Sequence, residues 1–109
     1  MFLIIVPAYN EANTIGNLLK QIDNKYDVLV VDDGSIDLTS DLSEKLGAKV
    51  IKSEKNNGVD YSINIGFEYA VKNDYKYVVT IDADGQHSVS DLEKIIDILK
   101  NEDCDLVIS

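Results

Sequence analysis

The chain has 109 residues, which is enough for one domain built around a single hydrophobic core. Its 20 acidic residues against 10 basic ones give a formal net charge of -10. This balance argues against nucleic acid as a partner, because contacts to the phosphate backbone need clustered Lys and Arg. The sequence contains no arginine. An anionic ligand must therefore be recognised by a metal ion, by backbone N–H groups or by a few lysines.

Three features bear on the cellular location of the chain. The N-terminal segment MFLIIVPAYN lacks a basic stretch and soon reaches Pro7, so it is typical of a strand rather than of a signal peptide. Apolar runs reach at most about seven residues, against the roughly 20 that span a bilayer. Cys104 is the only cysteine, so no internal disulfide forms and a reducing compartment is favoured. We expect a cytoplasmic protein, with any longer form of it at the cytoplasmic face of a membrane.

Short runs rich in Val, Ile and Leu recur along the chain and predict buried strands. They alternate with segments in which apolar residues return every three or four positions, as in amphipathic helices. This alternation predicts an α/β fold, namely an open, mainly parallel sheet with helices on both faces. The predicted strands are Phe2–Val6, Val28–Val31, Lys49–Ile51, Tyr77–Ile81 and Leu106–Ile108.

The apolar spacing also predicts which faces of two helices are buried. In the first helix, one face carries Ile15, Leu18, Leu19 and Ile22. The third helix is predicted over about Asp60–Lys72, and its inward stripe is Ile63, Phe67, Ala70 and Val71.

The ends of the other two helices are marked by capping residues. The second helix is predicted over Leu38–Leu46, with Ser35 or Asp37 as its N-cap and Gly47 just past its end. The fourth begins at the segment Ser90–Glu93, which fits the capping box S-x-x-E.

Three polar loops follow strands of the predicted sheet. They are Pro7–Glu11, Asp32–Asp37 and Asp82–His87, after the first, second and fourth strands. In open parallel sheets, ligands bind beyond the carboxyl ends of the strands, where such loops leave for the helices. We therefore expect the three loops to meet at one edge and to form the functional site.

Asp82 and Asp84 follow the fourth strand with one residue between them. In an extended backbone, residues two apart point to the same side, and two neighbouring carboxylates repel unless a proton or a cation lies between them. Such oxygen ligands suit Mn²⁺ or Mg²⁺, and Gln86 offers a third oxygen. A solvated acidic turn is the alternative, since Asp and Gly are common in turns.

Asp32 and Asp33 close the second strand and allow two interpretations. They are typical of a turn, but one carboxylate could instead accept a hydrogen bond from a ligand N–H group such as that of a nucleobase. In the first loop, Tyr9 offers a flat face on which a base stacks. Glu11 offers a carboxylate that equally suits the first turn of the following helix.

Other nucleotide and hydrolase patterns are missing. His87 is the only histidine, and no serine stands in a G-x-S-x-G elbow, so a Ser-His-Asp triad is unsupported. Neither G-x-x-x-x-G-K-[ST] nor G-x-G-x-x-G occurs. A phospho-acceptor signalling domain would need an acidic pair after the first strand and a Lys after the fifth. This chain has Val6-Pro7 and Ser109 at those points.

The stretches IIVPAYNEANTI, VLVVDDGSIDLTSD and VVTIDADGQH, in this order, resemble the family 2 glycosyltransferases, whose catalytic domain has the GT-A fold. Asn57-Gly58, with Gly66 downstream, is similar to the family's asparagine–glycine segment. DADGQH resembles most closely the branch that moves a sugar from a nucleotide to a polyprenyl phosphate, as dolichyl-phosphate mannose synthases do.

The resemblance implies a role for each matching residue. Asp82 and Asp84 would be the D-x-D carboxylates that hold Mn²⁺ or Mg²⁺ against the donor diphosphate, with Gln86 in the metal shell. The implied activity is inverting transfer of a sugar from a UDP- or GDP-sugar to a lipid-phosphate or saccharide acceptor. The implied nucleotide-binding residues are Pro7, Ala8, Tyr9, Glu11, Asp33 and Asp82.

The resemblance also implies a domain assignment. Residues 1–109 would be the nucleotide-sugar-binding portion of a GT-A domain, with the acceptor-side catalytic residues beyond Ser109. A non-catalytic nucleotide-sugar-binding module is the alternative. In either case, an uncovered sheet edge or face favours a homo-oligomer.

Overall fold

A computed structural model of the chain describes residues 2–22, 26–83, 94 and 106–108. Five strands form one sheet in the order β3-β2-β1-β4-β5, and every neighbouring pair is parallel. Parallel neighbours need crossover connections, and the described helices supply them between the first four strands of the chain. The strands are β1 (Phe2–Ala8), β2 (Asp27–Asp32), β3 (Lys49–Lys52), β4 (Tyr77–Thr80) and β5 (Leu106–Ile108).

The central strand β1 explains why the sheet is covered on both faces. Successive side chains of a strand point to opposite faces, and in β1 both sets are apolar. Ile4 and Val6 pack into a cluster with the first two helices, whereas Leu3 and Ile5 pack with the third. The prediction of an open parallel sheet with helices on both faces is confirmed.

The helices described are α1 (Ala12–Gln21), α2 (Thr39–Lys45) and α3 (Val59–Lys72). The predicted inward face of α1 is confirmed. Ile15, Leu18 and Leu19 are buried, and so is Ile22, which follows the helix end.

Helix α2 begins at Thr39, one residue after its predicted start at Leu38. Leu38 occupies the cap position, so the assignment of Ser35 or Asp37 to that position is wrong. The Asp37 carboxylate nevertheless accepts the Thr39 N–H at 3.0 Å, so it provides a hydrogen-bond partner for one of the free N–H groups at the start of α2. At the other end, Gly47 has φ +94° and its N–H donates to the Glu44 carbonyl at 3.0 Å, as predicted for a glycine just past a helix.

The predicted inward stripe of α3 is confirmed only in part, since Ala70 is buried as predicted. Val71 is 77% exposed, so its place in the inward stripe is wrong. The fully buried positions are Ser62, Gly66 and Ala70, one small residue per turn. A Cβ atom on Gly66 would lie 2.7 Å from two side-chain carbons of Ile5, so α3 approaches β1 too closely for larger side chains there.

The capping box at Ser90–Glu93 lies outside the described residues, as does Cys104. Within the residues described, no helix is both long enough and apolar enough to cross a membrane.

Candidate functional site at the carboxyl edge of the sheet

The loops that follow β1 and β2 meet at the carboxyl edge of the sheet, as predicted, and so do Asp82 and Ala83, the described part of the loop after β4. Together with the start of α3 they enclose a cavity of about 340 Å³. All six residues implied in nucleotide binding lie on the wall of this single cavity. They are Pro7, Ala8, Tyr9, Glu11, Asp33 and Asp82.

The first two loops are joined by reciprocal hydrogen bonds. The Asn10 N–H donates to Ser35 Oγ at 2.8 Å, and Asn10 Oδ1 accepts the Ile36 N–H at 2.9 Å. Asn10 has φ +53°, a left-handed conformation that Asn tolerates better than most residues. Ser35 therefore connects the loops rather than capping α2.

Asp37 strengthens this connection from the second loop. Its carboxylate accepts the Ala12 N–H at 3.1 Å and hydrogen bonds from the backbone and hydroxyl of Thr39. Burial acts to raise the pKa of the Asp37 carboxyl, but these hydrogen bonds outweigh it and hold that pKa below the usual value of 3.8. Asp37 is thus charged at neutral pH and stabilises the starts of both α1 and α2.

The two consecutive aspartates at the end of β2 have separate structural tasks, because neighbouring residues point to opposite faces. Asp32 is fully buried; its carboxylate accepts the Ser35 N–H at 2.9 Å and the hydroxyl of Ser40 in α2. Asp33 points to the other face, towards α3. The double aspartate is therefore more than a solvated turn.

Asp33 holds the segment before α3 against the end of β2. Its carboxylate accepts the Asn57 N–H at 2.9 and 3.0 Å and the Gly58 N–H at 2.7 Å. Gly34 permits the close approach of the two segments. A Cβ atom there would lie 2.6 Å from the backbone carbon of Lys55, and φ is +83°.

Tyr9 and Glu11 complete the first wall of the cavity. Tyr9 is 45% exposed, so its ring is available for stacking against a ligand. Glu11 stands at the cap position of α1 rather than in the first turn, and its carboxylate accepts the Thr14 hydroxyl at 3.0 Å. Its N–H donates to Thr39 Oγ1 at 3.0 Å, which fixes the residue between the loops.

Asp82 lies just beyond β4, partly buried on the cavity wall. Its carboxylate is a hard oxygen donor of the kind that Mn²⁺ and Mg²⁺ prefer. Asp84 and Gln86, the other predicted ligands, lie outside the described residues. Among those described, no three His, Cys, Asp or Glu side chains are grouped as metal ligands. The residue type and position of Asp82 fit a divalent cation, and the full ligand set stays a prediction.

Sequence reasoning missed part of the cavity wall that comes from α3 and the segment before it. Asn56 and Ser62 line the cavity beside Gly58 and Val59. The sequence does carry one signal for Ser62. It stands four residues before Gly66, and small residues at this spacing indicate a helix face that packs closely.

A second cavity, of about 330 Å³, lies at the amino edge of the sheet. Most of its lining residues are apolar or aromatic, Tyr75 among them, but the charged Asp27 also lies on its wall. The carboxyl-edge cavity is the candidate functional site instead, because ligands of parallel α/β sheets bind beyond the carboxyl strand ends and because three carboxylates line it, those of Glu11, Asp33 and Asp82.

An open parallel sheet with a cavity at its carboxyl edge is the usual form of a ligand-binding α/β domain. The family model described as "Glycosyl transferase family 2" matches residues 3–109. The chain belongs to this family.

Two curated relatives illustrate the match. The UDP-N-acetylglucosamine–dolichyl-phosphate N-acetylglucosaminyltransferase of Methanococcus voltae is 33% identical over 127 residues, covering 99% of this chain and 51% of the relative. The dolichol-phosphate mannosyltransferase of Pyrococcus furiosus is 36% identical over 107 residues, covering 90% and 30%. The chain thus spans about half the length of such relatives or less.

A solved structure shows the same fold. The mannosyltransferase PcManGT of Pyrobaculum calidifontis, in complex with GDP-Man and Mn²⁺, superimposes with a TM-score of 0.66 at 26% identity. The match covers 76% of this chain and 27% of that one. The fold is GT-A, as the resemblance implied.

Proposed function

We propose that the protein takes part in metal-dependent transfer of a sugar from a UDP- or GDP-sugar, with residues 1–109 forming the donor-binding portion. The observation that carries this proposal is the meeting of Pro7, Ala8, Tyr9, Glu11, Asp33 and Asp82 on one cavity wall. Family membership supports it, and so do the UDP-sugar in the name of the Methanococcus voltae relative and the GDP-Man bound in the structural neighbour.

In this proposal the base lies between Tyr9 and the end of β2, where Asp33 accepts its N–H group. Asp82 and Asp84 hold Mn²⁺ or Mg²⁺, with Gln86 as a third ligand. The cation supplies the positive charge that offsets the leaving diphosphate. A chain without arginine has few other means of doing so.

Polyprenyl phosphate is the acceptor that we favour, since both curated relatives are named for dolichyl-phosphate substrates. A phosphate oxygen is already anionic, so its attack on the sugar needs little help from a general base.

We propose direct displacement at the anomeric carbon, with inversion. Determining the anomeric configuration of the product by NMR tests the inversion, and a retained configuration contradicts it.

Calorimetric titration with UDP and GDP, with and without Mn²⁺, tests the donor site. We expect one diphosphate to bind more tightly and its affinity to depend on Mn²⁺. Asp82→Asn should remove that dependence, whereas Asp41→Asn, on the exposed side of α2, should keep it. If neither diphosphate binds under either condition, the proposed donor site is wrong. Donor binding without sugar transfer to either acceptor class would instead favour a non-catalytic binding module.

A further inference from the structure

The first turn of α3 contains a buried hydroxyl, that of Ser62. The residue lies in the first turn of α3 with 1% of its surface exposed, and its Oγ has no hydrogen-bond partner among the residues that the structure describes. The buried serines Ser35, Ser40 and Ser43 all make side-chain hydrogen bonds. A buried hydroxyl without a partner destabilises a fold, so its presence calls for a physical explanation.

The packing of α3 explains where this hydroxyl lies. Gly66 rests against Ile5 of β1, and Ser62 stands one turn earlier on the same face of the helix. Because β1 continues past Ile5 to Pro7, Ser62 comes to lie at the carboxyl edge of the sheet. It shares the wall of the cavity with Pro7 and Asp33.

Ser62 and Asp33 offer complementary hydrogen-bonding groups in this cavity. The Asp33 carboxylate is an acceptor, and the Ser62 hydroxyl is a donor that turns about a single side-chain torsion. Uracil and guanine each present a ring N–H next to a carbonyl oxygen. An acceptor and a donor on one wall match that pair of groups.

We infer that Ser62 contacts the base of the donor nucleotide and donates a hydrogen bond to the carbonyl oxygen beside the ring N–H that Asp33 accepts. This inference rests on the proposed donor site and adds a specificity-determining residue to it. Alanine fills nearly the same volume as serine. Ser62→Ala therefore removes the hydrogen-bond donor with little change in packing.

The test compares the wild type with Ser62→Ala by calorimetry, in the presence of Mn²⁺. For whichever of UDP and GDP the wild type prefers, we expect the variant to bind about tenfold more weakly, the usual effect of one lost hydrogen bond. Inorganic pyrophosphate, which has no base, should bind both proteins equally. An unchanged nucleotide affinity, or an equal loss for pyrophosphate, would overturn the inference. If the wild type itself binds neither nucleotide, the proposed donor site fails first.

Thermal unfolding without ligand supplies a second readout, with Ser43→Ala as the matched control. Ser43 is also a buried helical serine, but its hydroxyl donates to the Thr39 carbonyl at 2.7 Å. We expect Ser43→Ala to lower the Tm and Ser62→Ala to raise it, by a few degrees each. A Tm lowered equally in both variants would show that the Ser62 hydroxyl has a structural partner, which contradicts the inference.

Discussion

The Asp33 carboxylate accepts the Gly58 N–H at 2.7 Å and so connects the end of β2 to the start of α3. Both its oxygens also lie within hydrogen-bonding distance of the Asn57 N–H. A residue that the sequence marks for base binding thus also fixes the wall against which a base would lie. Fold and candidate site depend on the same side chain.

Replacing Asp33 by Asn should therefore weaken the fold as well as ligand binding. The amide NH₂ group that replaces one carboxylate oxygen faces N–H donors, so we expect the free energy of unfolding to fall by about 2 kcal/mol. Urea unfolding followed by circular dichroism measures this. Asp41→Asn, at an exposed position of α2, should change it by no more than about 0.5 kcal/mol. Equal stability of the two variants would contradict the structural role of Asp33.

Two helical glycines should respond to alanine in opposite directions. A Cβ atom on Gly66 meets buried Ile5 carbons at 2.7 Å, so Gly66→Ala should cost about 1–3 kcal/mol through overpacking. At Gly16 in α1 a Cβ atom would lie 3.8 Å from Leu46 Cδ1, an ordinary contact. Gly16→Ala should therefore stabilise by about 0.5–1 kcal/mol through helix propensity. The same unfolding measurement checks both, and a stabilising Gly66→Ala would show that α3 does not pack this closely.

The layered fold could be predicted from the sequence because its cause is local. A strand such as β1 that is apolar on both faces has to be covered twice, whatever the details of packing. The inward stripe of α3 could not be predicted in the same way. Hydrophobicity favours Val71, whereas the close approach of Gly66 to Ile5 turns the small residues inward.

The candidate site also has a part that the sequence predicts and a part that it does not. Loop positions follow from strand ends, so Pro7, Tyr9 and Asp82 could be placed at one edge before the structure was known. The hydrogen-bond partners of Asp33 lie 24 and 25 residues away in the sequence, so no local sequence pattern predicts them. The spacing of Ser62 and Gly66 indicates a closely packed helix face, but nothing in the sequence shows that the Ser62 hydroxyl lies beside a cavity.

Tyr75 gives the fold a specific sensitivity to alkaline pH. Burial raises the pKa of Tyr75 to about 12, helped by the hydrogen bond that its hydroxyl donates to Asp27 at 2.7 Å and by the charge of that carboxylate. Because the folded-state pKa exceeds the usual value of 10.0, the unfolded chain releases this proton first as the pH rises. The stability contributed by the neutral phenol is complete below pH 10 and is lost between about pH 10 and 12.

Tm values measured from pH 8 to 12 should reveal this loss. At pH 8 the Tm of Tyr75→Phe should be lower than that of the wild type, because the variant lacks the hydrogen bond to Asp27. Above pH 10 its Tm should fall less steeply, because it has no phenol to lose a proton. Asp27→Asn, which keeps an oxygen acceptor but removes the charge, should lie between the two. Parallel Tm curves for all three proteins would contradict a raised pKa at Tyr75.

Nucleotide binding at the carboxyl edge is tested most directly by an NMR titration of ¹⁵N-labelled protein with UDP and GDP in the presence of Mg²⁺. Two cavities of similar volume lie at opposite edges of the sheet, so the map of shifted amide signals decides between them. We predict shifts at Tyr9, Asp33, Ser62 and Asp82, with signals near Tyr75 unchanged. Shifts confined to the amino edge, or none with either nucleotide, would contradict a donor site in the carboxyl-edge cavity.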